Sequence, residues 1–249
     1  MSNESVVLIT GALTGIGRAA ALAFAKEGAS VVVSGRKDAE GKALEAELIG
    51  LGAKAAFIRA DVRQEDEVSN LVDKTVARFG RLDAAVNAAG TDGKPGPLTD
   101  QSAEGYAATF DTNVLRTLLS MKHELRVMQT QGSGSIVNIS STYGHEGAKG
   151  ASVYAGSKHA VEDMTKSAAL EAAGSGVRVN AVAPGPTETG MLNRFTGAPE
   201  RKAALASRVP LGRVAEPEEI ARAILFVASK AASFMTGQIV TVDGGKTAA

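Results

Sequence analysis

The chain has 249 residues, 44% apolar and 22% charged, a balance that supports a sizeable buried core and excludes a disordered polypeptide. Its 27 basic residues offset 27 acidic ones, so no overall field draws nucleic acid or an anionic membrane; the absence of cysteine excludes disulfides, thiolate metal sites and a thiol nucleophile. His123, His145 and His159 show no ligand spacing, so no metal is expected. The opening MSNESVVLITG has no basic stretch before a long apolar run, and no segment nears about 18 uninterrupted apolar residues. Neither a signal peptide nor a membrane span is expected, and the location defaults to the cytoplasm.

Seven short apolar runs rich in Val, Ile and Leu read as strands: Val6 to Ile9, Val31 to Val33, Ala55 to Ile58, Leu82 to Val86, Ser135 to Ile139, Val177 to Val182 and Ile239 to Val242. Their near-continuous apolar character predicts a sheet covered on both faces, and the helical segments between them are long enough for parallel crossovers. Glycines close the helices: Gly28, Gly52 and Gly80 after the first three, Gly174 and Gly176 after a long helix over Val153 to Ala173. Another long helix is predicted over Ser102 to Val127. No Pro-, Gly- or Ser-rich linker divides the chain, so residues 1–249 are expected to form one doubly wound α/β domain. Between Pro184 and Arg208 the rhythm breaks, with Pro184, Gly185, Pro186, Gly190, Gly197 and Pro199 followed by a short helical stretch. Residues 186–208 are expected to form a mobile lid.

The first strand runs directly into Thr10-Gly11-Ala12-Leu13-Thr14-Gly15-Ile16-Gly17, which opens a helix. Gly11 suits a sharp exit from the strand, Gly15 a close approach of a pyrophosphate to the backbone, and Gly17 tight helix–strand packing. The helix N-terminus offers free N–H groups and a positive dipole end, so Gly11, Thr14, Gly15, Ile16 and Gly17 are candidate dinucleotide ligands. The bare alternative is a tight βα turn. At the end of the second strand, where NAD sites usually carry Asp or Glu, stand Ser34-Gly35-Arg36-Lys37. A guanidinium pairs well with phosphate, so Arg36, helped by Ser34 and Lys37, favours NADP(H), with NAD(H) kept open because Arg36 could also stack on adenine or begin a solvated helix.

Tyr154 and Lys158 lie four apart at the start of a helix, on one face, and Ser141 stands just beyond a strand. All three reach one pocket. A phenol titrates near pH 10 (about that value unaided), and a neighbouring Lys⁺ favours its phenolate, which makes Tyr154 a proton carrier.

With these residues assembled, the chain resembles the short-chain dehydrogenase/reductase family, in its branch of roughly 250 residues, over essentially its whole length. Thr10 to Gly17 is similar to the family's phosphate turn, Asp61-Val62 to its adenine-contacting pair, and Asn87-Ala88-Ala89-Gly90 to the segment after strand four. Asn113 matches the Asn of the central helix; Ser141 with Tyr154-Ala155-Gly156-Ser157-Lys158 matches the catalytic set, and Pro184-Gly185 the turn after strand six. The resemblance implies a seven-stranded Rossmann sheet of order 3-2-1-4-5-6-7, with Tyr154 as general acid and base and Ser141 bonding the substrate oxygen. It assigns Lys158 to the nicotinamide ribose, Asn113 to a water linking Lys158 to solvent, and Asp61, Val62, Asn87, Ala88, Gly90, Pro184, Gly185 and Thr187 to the cofactor.

Substrate choice is expected to reside in Tyr143 and His145, the loop around Asp92 to Pro97, and Met191, Leu192 and Phe195 on the lid. That apolar wall suits a ketone or secondary alcohol; glucose and 3-oxoacyl-thioester substrates stay open, Arg194 is a candidate carboxylate clamp, and His145 reads more readily as a surface-loop residue than as part of the pocket. A non-catalytic dinucleotide sensor is the reading from another class. The resemblance also implies a homotetramer, built on the two long helices and the C-terminal strand, with Ala155, Ala160, Ala168, Ala169 and Ala172 allowing close helix approach.

Overall fold

A computed structural model describes residues 5–248. Residues 1–4, the start of the segment read for a leader, lie outside it. The expected architecture is present: seven parallel strands in the order β3-β2-β1-β4-β5-β6-β7, with helices on both faces. The strands are β1 (Val6–Thr10), β2 (Ser30–Gly35), β3 (Ala55–Arg59), β4 (Ala84–Asn87), β5 (Gly134–Ile139), β6 (Val177–Pro184) and β7 (Ile239–Val242). Every residue of β1 is buried, as a central strand covered above and below requires.

On one face lie α1 (Gly15–Lys26), α2 (Asp38–Gly50) and α9 (Pro217–Ala228). Phe24, Ala20 and Ala21 of α1 meet Ile220, Ile224 and Val227 of α9 in a single core over Val7, Ile9, Val31 and Val33. Small alanines let the helices come close, and Phe24 fills the space between them. On the other face lie α3 (Glu65–Phe79), α5 (Arg116–Gln131) and α6 (Ser152–Ala172), which cover Leu8, Val32, Ala85 and Ile136 with Leu71, Met121, Met128 and Ala169. Between β6 and α9 come two short helices, α7 (Gly190–Thr196) and α8 (Pro199–Ala206), where one short helical stretch was expected.

Three expectations are corrected. The strand expected to begin at Leu82 begins at Ala84, because the Gln131 side chain captures the Leu82 backbone, accepting from its N–H at 2.9 Å and donating to its carbonyl at 2.8 Å. The helix expected over Ser102 to Val127 is two helices, α4 (Ala103–Phe110) and α5, joined by a π-helical turn over Asp111–Leu115. It continues to Gln131, where Gly132 takes a left-handed conformation (φ +71°). Of the two glycines expected to stop the long helix, Gly176 does so with φ +71°, while Gly174 lies within a 3₁₀ turn over Ala173–Ser175.

Candidate active site

The carboxyl ends of β1, β4, β5 and β6 open on one cleft of about 590 Å³, at the point where the chain's winding reverses between β1 and β4. Its floor is the glycine turn. A Cβ on Gly11 would stand 2.4 Å from the Ala89 backbone, and one on Gly17 2.4 Å from the Gly11 carbonyl oxygen, so the turn between β1 and α1 closes only without side chains there. Gly15 has φ +54° and lies under Thr189, whose Cγ2 would be 3.1 Å from an added Cβ. The cradle has the shape a pyrophosphate at a helix N-terminus needs, and the residues present fit a dinucleotide.

Along the cleft wall lie Thr14 and Ile16 of the turn; Gly35, Arg36 and Lys37 after β2; Asp61 and Val62 after β3; Ala88 and Gly90 after β4; and Pro184, Gly185 and Thr187 after β6. Lys37 is held by Glu40 at 2.9 Å and Asp61 by Arg63 at 2.6 Å. Arg36 makes no ion pair among the described residues, although its charge reaches Asp61.

The chemistry-bearing side chains meet deeper in the cleft. Ser141, in the turn after β5, hydrogen-bonds Tyr154 on α6. Burial pushes the Tyr154 phenol up to about 12; the Ser141 hydrogen bond and the charge of Arg116 pull it down, while Asp92 and Tyr143 push it further up. Lys158 is almost fully buried, and burial, followed by repulsion from Arg116, brings its ammonium down to about 7. Its Nζ donates to the Ile139 carbonyl at 2.9 Å and stands 5.6 Å from the Tyr154 ring centroid. Arg116 is the charge that draws the Tyr154 phenol down.

Four predicted site residues lie elsewhere than on the cleft wall. Ser34 is fully buried, and its hydroxyl has no hydrogen-bond partner among the described residues. Asn87 turns its amide into the interior, donating to Glu124 (3.0 Å) and to Asn138 (3.1 Å). His145 is exposed on the loop, as the surface-loop reading has it, with Nδ1 3.1 Å from Glu162, which also accepts from Ser140 at 2.8 Å. Asn113 occupies the π-helical turn; its Oδ1 accepts from the Thr91 N–H and its Nδ2 donates to the Thr91 carbonyl and to Ser157 Oγ, each at 2.9 Å. Only the edge of that turn, Thr112, lines the cleft.

The mouth is bounded by Tyr143 and by Met191, Leu192, Arg194, Phe195 and Leu205 of α7 and α8. Tyr143 and Tyr154 meet edge to face at 6.4 Å. Two cations stand at this rim. Arg194 faces Asp92 at 3.6 Å; Lys246, from the last turn of the chain, pairs with Glu146, donates to Thr142 Oγ1 at 3.2 Å and lies 4.7 Å from the Tyr143 ring centroid. Lys246 and the two buried charged residues Arg116 and Glu124 escaped sequence reasoning. A charge on a helix reads as a solvated face, and nothing in local spacing marks a residue beyond the last strand as returning to the pocket.

Residues 11–247 match the family model described as enoyl-(acyl carrier protein) reductase. The cis-4-hydroxycyclohexanecarboxylate dehydrogenase of Sinomonas cyclohexanicum is 42% identical over 98% of this chain and 97% of its own length. Among solved structures, levodione reductase superposes with a TM-score of 0.96 at 33% identity, covering 99% of this chain and 98% of that one. A structure titled ElxO with NADP bound gives 0.93 at 34% identity, covering 98% and 99%.

Proposed function

We propose, from the premise that this chain belongs to the short-chain dehydrogenase/reductase family and is an NAD(P)-dependent oxidoreductase acting on alcohol and carbonyl groups, that it interconverts alicyclic ketones and secondary alcohols with NADP(H), using Tyr154 as the acid–base group. The observation that carries the reading is the Ser141–Tyr154 hydrogen bond at the inner end of a cleft whose outer wall is Tyr143, Met191, Leu192, Phe195 and Leu205. The bound nicotinamide supplies or takes the hydride. Ser141 holds the substrate oxygen, and Tyr154 donates its proton to that oxygen in reduction and accepts it in oxidation. Lys158, fixed by the Ile139 carbonyl, faces the ring of Tyr154 and is placed to hold ribose hydroxyls.

Two observations support NADP(H). Arg36 is a cation on the cleft wall without an ion-pair partner among the described residues. Gly35, beside it on the cleft wall, has no side chain, so no carboxylate stands at that position to read a ribose 2′-hydroxyl. A structural neighbour, ElxO, has NADP bound.

The apolar wall favours a ring or similar hydrocarbon beside the carbonyl, in keeping with the relative that is a cis-4-hydroxycyclohexanecarboxylate dehydrogenase. Both rim cations are already matched by carboxylates, which favours a neutral ring over an anionic substrate. In this reading α7 and α8 form the lid.

For a homotetramer, as the resemblance implies, only Ala160 of the expected alanines is partly exposed on this chain. Ala155, Ala168, Ala169 and Ala172 are buried in this chain's own core, whereas Leu170 and Phe234 are exposed.

The test is initial-rate assay of cyclohexanol oxidation with NADP⁺ and cyclohexanone reduction with NADPH, alongside Tyr154→Phe. Turnover lost in the variant is the expected result. Turnover retained in Tyr154→Phe overturns the assignment, and silence of the wild type across ring and open-chain ketones favours the sensor.

A further inference from the structure

Arg116 is the largest fully buried side chain of the molecule's described residues, and it makes no ion pair among them. Burying a guanidinium without a contacting carboxylate is costly, so its donors matter. Nε donates to the Thr112 carbonyl at 3.0 Å and Nη1 to the Asn87 carbonyl at 3.1 Å. The neighbouring Thr117 Oγ1 donates to the Asn113 carbonyl at 2.8 Å. A π-helical turn misaligns backbone carbonyls that an α-helix would satisfy, and side chains 116 and 117 supply donors at that turn. The second guanidinium nitrogen faces Gly90. The point where a Gly90 Cβ would stand is 3.8 Å from Arg116 Nη2, 3.9 Å from Lys158 Nζ and 3.3 Å from Asn113 Oδ1. The two cations therefore face one another across a glycine.

We propose that Arg116 is a positioning residue of the acid–base relay: its guanidinium fixes the π-helical turn that presents Asn113, and it stands as a permanent positive charge beside Lys158 and Tyr154. The inference rests on the reading of Tyr154 as the acid–base group. Its charge lowers the pKa of both residues, opposing the burial that raises Tyr154. The other titratable groups around it are Glu124 on α5, Glu162 on α6, Asp92 after β4 and Tyr143 after β5. Glu124 is as deeply buried as Arg116 and accepts from Asn87, so the counter-charge lies on the side away from the cleft.

The experiment is an NMR titration of ¹³Cζ-labelled tyrosine in the full chain with NADP⁺, together with the pH profile of kcat for cyclohexanol oxidation. The chain has three tyrosines, so Tyr154→Phe assigns the resonance. Removing a positive charge destabilises the phenolate. In Arg116→Met the Tyr154 midpoint and the rising limb of kcat are expected to move up by about one pH unit, while Arg116→Lys keeps the wild-type midpoint. Glu124→Gln, which removes the counter-charge and retains an acceptor for Asn87, moves the midpoint down.

A midpoint unmoved in both Arg116→Met and Glu124→Gln overturns the proposal, even where kcat falls, because a purely structural role lowers kcat without moving an ionisation. If Arg116→Met fails to fold, Arg116→Gln, which removes the charge but keeps a donor, decides in its place. A wild-type profile with no limb that Tyr154→Phe removes overturns the acid–base reading together with this one. A wild type that turns over no alcohol leaves the NMR midpoint to decide the role of Arg116.

Discussion

Replacing Arg36 by Ala tests the cofactor assignment most directly. Lys37 is already matched by Glu40 at 2.9 Å, whereas Arg36 makes no ion pair among the described residues, so most of the phosphate's partner charge at this end of the cleft resides on one side chain. A charge-assisted hydrogen bond is worth about 1.5–3 kcal/mol, and exposure of Arg36 places it toward the lower end. The expected loss is therefore roughly 10- to 30-fold in kcat/KM for NADPH, carried by KM. NADH has no 2′-phosphate to lose, and its kcat/KM should change by less than about threefold. The assay is the decay of reduced-coenzyme absorbance with cyclohexanone at saturating ketone, for both coenzymes and both proteins. A wild-type preference for NADH, or an NADPH preference that survives Arg36→Ala, refutes the reasoning. Lys37→Ala should have a smaller effect than Arg36→Ala, since Glu40 already competes for its charge.

Gly17→Ala should weaken coenzyme binding at least tenfold, measured by NADPH fluorescence, because the new Cβ has 2.4 Å to the Gly11 carbonyl oxygen and only movement of the turn relieves it. Phe24→Ala opens a cavity between α1 and α9 and should cost about 3–5 kcal/mol in urea unfolding, with the coenzyme site following the loss of α1. For Lys158, a folded-state pKa of about 7 against an ordinary 10.5 means that the unfolded chain binds more protons between those values, so this residue's contribution to stability rises with pH across that window. Melting temperatures at pH 7, 8.5 and 10 (roughly spanning the window) should therefore climb more in the wild type than in Lys158→Met; equal slopes would contradict the burial argument.

The sheet was readable from the chain because strands of a doubly covered parallel sheet are mostly apolar on both faces, and the seven runs are mostly apolar. The glycine turn was readable because its requirements are steric and local. What escaped notice depends on depth rather than spacing. Asn87 and Ser34 stand at strand ends that border the cleft, but one points its amide to Glu124 and Asn138 and the other is sealed under neighbours. The alternation that decides which way a strand residue faces cannot be read when both faces are apolar. The π-helical turn has no compositional signal; it becomes intelligible only with Arg116 and Thr117 seen donating to its carbonyls. Ala168, Ala169 and Ala172 of α6 illustrate the same limit, since small residues permit close approach by any neighbour, and here the neighbour is the chain's own core.

The contact between α1 and α9 has a bearing on how the protein is made. The helix whose N-terminus forms the phosphate cradle packs against one nearly two hundred residues later, beginning at Pro217. A nascent chain released before that point leaves one flank of Phe24 bare, and the cradle lacks the packing that holds its helix in place. By mass action, a ligand held in the cradle stabilises the α1–α9 contact as well, so the coenzyme site and this distant helix are thermodynamically linked.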